Sequence, residues 1–451
     1  MNYRSLEPAV AGHLVVVPYP GRGHVNPVLN TCKLLVSNSD NILITVVLTE
    51  EWLDLLSSEP KTDRIRFMSI PNVVPSERVR AADLFGFLKA VWTKMEDPFE
   101  RLLDGLQPPA TLIMADTFLF WAVSIGNRRN IAVVSFWPMS AAKFSDTQHQ
   151  HILFQKSGHS PVIMSGKEDA PAIVSGEERK FMYEGIMNAF SCLPKANYLL
   201  ISSTYELESQ IVDVLRAEFS FPIFTVGPSI PYLKLEDNSS SSSCSKENEL
   251  NYLDWLDKQP KYSVLYVSLG SFLSVSSEQM DGIAAGLKNS RVRFLWVARA
   301  ETASLKEEAC VENELGLVVP WCDQLRVLSH SSIGGFLSHC GWNSVQEGIF
   351  SGVPFLTFPI AADQNLNSKL IVDDWKIGWR MKKSYAMENL VTREEIDELV
   401  REFMDLQNSE GKEMRRRAKE LQELCLRAIG GDGSLERSIK SFISNISVGF
   451  C

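Results

Sequence analysis

The chain has 451 residues and a formal net charge of −10, a length of about two or three domains. That acidity argues against nucleic acid as a partner, because phosphate contacts need clustered Lys and Arg. The cationic run Arg415-Arg416-Arg417 alternates with Glu on a predicted helix and reads as a solvated face.

A hydrophobic fraction of 45% is ordinary for a globular core. Eight cysteines without paired spacing point to free thiols in a reducing compartment. Cys322, His330, His339 and Cys340 match no zinc-finger spacing, so no metal is expected. The stretch MNYRSLEPAVAG lacks the cationic start and apolar core of a signal peptide. No apolar run approaches the ~20 residues of a membrane span. The expectation is a cytoplasmic monomer.

In chain order, His13 to Tyr19 reads as a buried strand, and Pro20-Gly21-Arg22-Gly23 as a turn. Asn26 is then the predicted cap, and Pro27 the first residue, of a helix. His24 would lie in the loop at the strand's carboxyl end, where the plain alternative is a loop histidine bonding backbone. Gly21-Arg22-Gly23 is half of a dinucleotide fingerprint, with Asn26 in the third glycine position, so a nicotinamide site is not expected. Ile42 to Leu48 is a strand, Glu51 to Ser57 a short helix and Ile65 to Ile70 a strand. Ala81 to Leu106 reads as one long helical region. Leu112 to Ala115 is a strand closed by Asp116, which could simply cap a helix beginning near Phe118. Ile131 to Phe136 is the next strand. His149, His151 and His159 fall in a loop-like region and read as surface residues. Strands at Tyr198 to Ser202 and Ile223 to Val226 complete the first half.

The serine-rich stretch 236–250 is the clearest linker. It divides the chain into an expected first domain, 1–235, and a second, 251–430. Strands at Ser263 to Val267, Phe294 to Val297 and Leu317 to Val319 follow, with a helix cued by Ser277-Glu278-Gln279. Helices from Thr392 to Ile429 and Leu435 to Ser444, split by Gly430-Gly431-Asp432-Gly433, close the chain. Alternation on both sides of one linker predicts two doubly wound α/β domains.

The most informative stretch is Trp321 to Gln364. An apolar strand, Ile333 to Leu337, ends in Ser338-His339-Cys340-Gly341-Trp342-Asn343-Ser344, and a helix follows. Asn343 with Gln346 fits a capping box, which would leave Ser344 and Glu347 for a ligand. A strand, a Gly-containing turn and a helix start make an anion site, to which His339 adds a donor. A second run, Val353 to Phe358, places Asp363 and Gln364 at another strand's carboxyl end, where open α/β sheets bind ligands.

This stretch resembles the signature of plant family-1 UDP-glycosyltransferases, and the resemblance extends over nearly the whole chain. It implies the GT-B architecture: two facing Rossmann-like domains, acceptor in the first, UDP-sugar in the second, reaction in the cleft. The last helix, within 431–451, would return to the first domain. By the same resemblance Trp321 stacks on uracil and the backbone of Cys322 reads its edge. Gln324 and Glu347 take the ribose hydroxyls. His339, Asn343, Ser344 and Ser271 meet the diphosphate, and Trp342, Asp363 and Gln364 hold the sugar. Gln364 leans towards glucose, making UDP-glucose the expected co-substrate. The chain has no Asp-x-Asp, so the helix end and these donors, without a metal, would meet the diphosphate charge.

His24, in its Gly-His-x-Asn-Pro context, resembles the family's catalytic base, and Asp116 its partner. An acceptor hydroxyl must lose its proton as it attacks the anomeric carbon, and a carboxylate fixes the tautomer of the imidazole that takes it. The implied reaction inverts an α-linked donor to a β-glycoside. One departure is Pro138, where many members carry a Thr that touches the donor sugar; Ser140 could substitute. Candidate acceptor walls are Phe85, Phe87, Trp92, Phe118, Trp121, Phe136, Phe144, Phe181, Met182 and Met187, an apolar set suited to small phenols, terpenols or hormones. The rival reading is a nucleotide-sugar-binding protein without turnover. A hydrolase or nicotinamide oxidoreductase would need a Gly-x-Ser-x-Gly elbow or a full glycine fingerprint, and the chain has neither.

Overall fold

Strand β1, Gly12–Val17, is buried at every position, and the first sheet is laid out on either side of it. It belongs to a computed structural model that describes residues 12–57, 63–77, 83–157, 176–233, 235, 252–270, 275–298, 315–381 and 390–448. Two units emerge. One takes the chain to Ser229 and adds Arg427–Cys451; the other is Ile230–Leu426, with 168–172 outside the described residues.

In the first unit, β1 is followed by α1 (Arg22–Ser37), β2 (Ile42–Thr49), α2 (Glu50–Leu55) and β3 (Ile65–Ile70). Next come α3 (Leu84–Lys94), α4 (Glu96–Asp104), β4 (Leu112–Asp116), α5 (Phe120–Arg129) and β5 (Ala132–Trp137). Helices α6 (Ala141–Ser157) and α7 (Gly176–Cys192), β6 (Tyr198–Ile201), α8 (Tyr205–Glu218) and β7 (Ile223–Thr225) complete the run. The described strands form one parallel sheet in the order β3-β2-β1-β4-β5-β6-β7. Continuous apolar runs such as ILITVVLT in β2 fit strands covered on both faces.

The second unit contains α9 (Tyr252–Asp257), β8 (Val264–Ser268), α10 (Ser277–Ser290), β9 (Arg293–Val297) and β10 (Gly316–Val319). They lead to α11 (Gln324–Leu328), β11 (Ile333–Ser338), α12 (Trp342–Ser351), β12 (Phe355–Thr357), α13 (Gln364–Lys369) and β13 (Gly378–Arg380). Helices α14 (Arg393–Met404) and α15 (Ser409–Ile429) follow. The sheet is again parallel, in the order β10-β9-β8-β11-β12-β13. The last helix, α16 (Ser434–Val448), packs on the first unit's sheet. Phe442 meets Phe224 and Tyr198 at 5.5 and 5.9 Å, and the Ser434 hydroxyl donates to Glu206 at 2.8 Å. The GT-B arrangement of two Rossmann-like sheets with a returning terminal helix is what the chain forms.

Several local expectations are corrected. Helix α1 begins at Arg22, not at Asn26-Pro27: the Gly21 carbonyl accepts from His24 and Val25 N–H at 2.9 and 2.8 Å. Pro27 is the sixth residue of that helix and lies inside it, where it has no N–H to donate to the Gly23 carbonyl. The region 81–106 is two helices, since Pro98 cannot donate back to Lys94 and the break falls at Met95. The Thr392–Ile429 helix also divides. Asp405 accepts from Gln407 N–H and Asn408 from Gly411 N–H, so these side chains draw the backbone out of the helix. His149 and His151 lie on α6, and His151 is buried against the Ser191 hydroxyl at 2.9 Å. His159 and 236–250 lie outside the described residues. Of the cationic run, Arg416 and Arg417 pair with Glu413 in solvent, but Arg415 turns in to the Phe403 carbonyl at 2.6 Å.

Strand β11 passes directly under other backbone. A Cβ on Gly334 would lie 2.1 Å from the Tyr262 carbonyl oxygen, and one on Gly335 would lie 2.3 Å from the Phe403 ring. Gly334→Ala should therefore overpack the second unit by about 1–3 kcal/mol and lower its unfolding midpoint in scanning calorimetry. An unshifted midpoint would show that the strand yields without cost.

Candidate functional site

Both sheets reverse their strand order between the first and fourth strands of the unit: β1 beside β4, and β8 beside β11. Crossovers leave such a pair in opposite directions, so the gap at their carboxyl ends stays open, and ligands of α/β sheets bind there.

In the first unit this gap receives His24, in the first turn of α1, and Asp116, the last residue of β4. His24 Nδ1 and Asp116 Oδ2 are 2.7 Å apart, and the Asp116 side chain is fully buried. The other carboxylate oxygen accepts from Phe118 N–H at 3.0 Å. The cap reading of Asp116 is thus replaced by a short Asx turn, because α5 starts only at Phe120 and Leu119 offers no side-chain cap. With Asp116 holding Nδ1–H, the lone pair sits on Nε2, the nitrogen available as a base. The Tyr19 and Phe118 rings lie 4.9 and 6.2 Å from the imidazole. Tyr19 was not singled out from the sequence; an aromatic at the end of a strand reads as core.

The expected acceptor walls separate by burial. Trp121, Phe136 and Met187 are at most 2% exposed and offer packing, with the Trp121 indole N–H tied to the Val91 carbonyl at 3.2 Å. Phe87, Trp92 and Phe144 are likewise buried. Phe85, Phe118 and Phe181 are half-buried, and Phe85 meets Phe181 at 5.0 Å. Beside Pro138, the Ser140 hydroxyl accepts from Lys143 N–H at 3.1 Å, so it serves the start of α6.

In the second unit, Trp321 follows β10 with 64% of its surface exposed, an open face for a flat ring. Cys322 is buried, its thiol pushed up to about 12 by desolvation. Gln324 Nε2 donates to Ser344 Oγ at 3.0 Å and to Glu347 Oε2 at 2.6 Å. Burial pushes the Glu347 carboxyl up to about 7.

The expected capping box is absent. Gly341 occupies the N-cap position and has no side chain, and Asn343 is the second residue of α12. The cause lies just before it: Cys340 takes φ +65°, held by its N–H on Ser338 Oγ and by Asn367 on its carbonyl, both at 3.0 Å. The N-cap residue of α12 therefore supplies no side-chain cap, and a helix start of this kind is a position suited to an anion. His339 stands beside it, its pKa pushed down to about 4 by burial, so the ring is neutral at pH 7. Cβ atoms on Gly270 or Gly341 would lie 2.7 and 2.5 Å from its Nε2, so both glycines are needed to admit the ring.

Asp363 Oδ2 accepts from Asn367 at 2.7 Å, and Gln364 Oε1 from Ile360 and Ala361 N–H at 2.7 and 3.0 Å. The Gln364 amide therefore presents its NH2 end. Trp342 is only 3% exposed, its ring set 6.4 Å from Trp375. Ser271 lies outside the described residues. No metal-binding group of three or more His, Cys, Asp or Glu occurs among the described residues, and no described helix is long and apolar enough to cross a membrane.

Residues 112–402 match the family described as UDP-glucoronosyl and UDP-glucosyl transferase. UDP-glycosyltransferase 87A2 of Arabidopsis thaliana is 46% identical over 452 residues, covering 96% of this chain and 97% of its own. Among solved structures, Os79 from O. sativa in complex with UDP superposes with a TM-score of 0.81 at 27% identity, over 96% of this chain and 100% of that one. Medicago truncatula UGT71G1 complexed with UDP-glucose gives 0.77 at 25% identity, over 97% and 98%.

The Asp116 contact has a direct readout. In 15N NMR the neutral His24 ring should carry its proton on Nδ1, and Asp116→Ala should shift it towards the Nε2–H tautomer. An unchanged tautomer would mean that the carboxylate does not orient the ring.

Proposed function

The chain belongs to the UDP-glucoronosyl and UDP-glucosyl transferase family and is a UDP-glycosyltransferase of small molecules; from that premise we propose that it moves glucose from UDP-glucose to a hydroxyl of a small lipophilic acceptor, giving a β-O-glycoside. The observation that carries this reading is the 2.7 Å contact between His24 Nδ1 and buried Asp116. In the proposed step His24 Nε2 takes the acceptor's hydroxyl proton as the oxygen attacks the anomeric carbon. The bond from that carbon to the UDP oxygen breaks, the configuration inverts, and the proton rests on an imidazolium that Asp116 stabilises. The rings of Tyr19 and Phe118 beside the imidazole favour a phenolic, terpenoid or hormone-like acceptor.

In this reading UDP lies on the second unit. Trp321 stacks on uracil, an interaction worth about 1–3 kcal/mol, with the Cys322 backbone at the base edge. Gln324 and Glu347 take the ribose hydroxyls. The diphosphate sits at the start of α12, near Asn343, Ser344 and the neutral His339 donor, with Ser271 expected there too. Asp363, Trp342 and the Gln364 NH2 group hold the sugar. Resident metal has no role in it.

His24→Ala should lower transfer about 10²–10⁴-fold while leaving UDP-glucose affinity within twofold. Transfer is read as acceptor-dependent UDP release and as the acceptor's gain in mass, which separates hexose from pentose. Full activity in His24→Ala would remove that residue from the reaction. Acceptor-independent binding without turnover by the unaltered protein would favour the non-catalytic reading.

Glu347 supplies a pH prediction. Its carboxyl, raised to about 7, is protonated below that pH and then has one acceptor fewer for ribose. UDP-glucose affinity should be flat above about pH 7 and fall as pH drops below it, by up to about tenfold per unit. His339, neutral throughout that range, adds no slope. Calorimetric titrations from pH 6 to 8 should lose this slope in Glu347→Gln.

A further inference from the structure

Tyr266, in the middle of β8, lies beneath the residues assigned to the ribose. Its ring, 5.0 Å from that of Phe336, is buried to 1% exposure and by itself reads as packing. Its hydroxyl does more. It donates to Gln324 Oε1 at 3.1 Å and lies 3.4 Å from Cys322 Sγ. A side-chain amide has one accepting and two donating sites, and its orientation is set by whatever meets the oxygen. With Oε1 held from below, the NH2 of Gln324 faces Ser344 and Glu347, at 3.0 and 2.6 Å.

We propose that Tyr266 is a positioning residue for nucleotide recognition, whose hydroxyl fixes the Gln324 amide in the orientation that the ribose meets. The inference rests on the reading that Gln324 and Glu347 take the ribose hydroxyls. Two of the amide's three contacts, Ser344 and Glu347, are groups that the ligand itself would engage. The contact with Tyr266 is the one a ligand cannot reach, so it holds the amide alike in the free and bound protein. An amide already set in its bound orientation loses less freedom on binding. The hydroxyl thus acts on affinity for the ribose, not on the transfer step.

The test is calorimetric titration of the full chain with UDP and with 2′-deoxy-UDP and 3′-deoxy-UDP, using the unaltered protein, Tyr266→Phe, Gln324→Ala and the double variant. Tyr266→Phe keeps the ring and removes only the oxygen. It should weaken UDP about 3- to 10-fold, leave at least one deoxy analogue unchanged, and raise the KM for UDP-glucose at constant kcat. The double variant should bind UDP no worse than Gln324→Ala alone. Gln324→Glu, which still accepts from Tyr266 but turns no donor towards Ser344 and Glu347, should likewise lose discrimination between UDP and its deoxy analogues. A Tyr266→Phe protein that keeps full discrimination, or losses that add in the double variant, would overturn the proposal. If the unaltered protein binds UDP and both deoxy analogues equally, and Glu347→Ala changes nothing, the ribose reading itself fails, and this inference with it.

Discussion

Everything functional in this chain depends on one geometric constraint, the reversal of strand order in a parallel sheet. Where β1 adjoins β4 and β8 adjoins β11, the connections depart to opposite sides and leave the carboxyl ends uncovered. The two units fill the same kind of opening differently. The first inserts an imidazole from a helix start and a carboxylate from a strand end. The second places a glycine at the N-cap of a helix and sets the His339 ring beside it. Neither arrangement survives a shift of the strands by one residue, because side chains alternate across a sheet and Asp116 would turn to the opposite face.

The two site histidines show how far surroundings govern one residue type. His24 is partly exposed and shares a proton position with a buried carboxylate. His339 is enclosed by Gly270 and Gly341, and desolvation keeps it uncharged at neutral pH. In the proposed reading, an uncharged His339 would meet the diphosphate without gripping the product by a full charge, whereas His24 as base would need a partner that welcomes its proton.

Strands were legible in the sequence, since short continuous apolar runs rich in β-branched residues, such as LVVV and ILITVV, suit a strand buried on both faces and little else. Their edges moved by one or two residues, as at Tyr19 and Thr49. Helix starts were less legible. Asn26-Pro27 and Asn343 both carry strong capping chemistry, yet Gly21 and Gly341 begin the helices. At Cys340 a left-handed residue held by Ser338 and Asn367 decides the matter, and Asn367 lies too far along the chain for a local pattern to reveal it. The family resemblance named the residues of the candidate site but not the hydrogen bonds among them. Gln324, Ser344 and Glu347 engage one another directly, and Tyr266 looked like any apolar-run aromatic. Acceptor walls were least legible, because Trp121 and Phe118 have similar sequence surroundings and different degrees of burial.

The last helix has a consequence for biosynthesis. Since α16 belongs with strands β6 and β7, the second unit is an insertion inside the first, entered after Ser229 and left after Leu426. As the polypeptide emerges from the ribosome, the first sheet must wait for about two hundred further residues before Phe442 can cover Tyr198 and Phe224. During that interval an apolar edge stays wet, and the inserted unit can mature while its host is still unfinished.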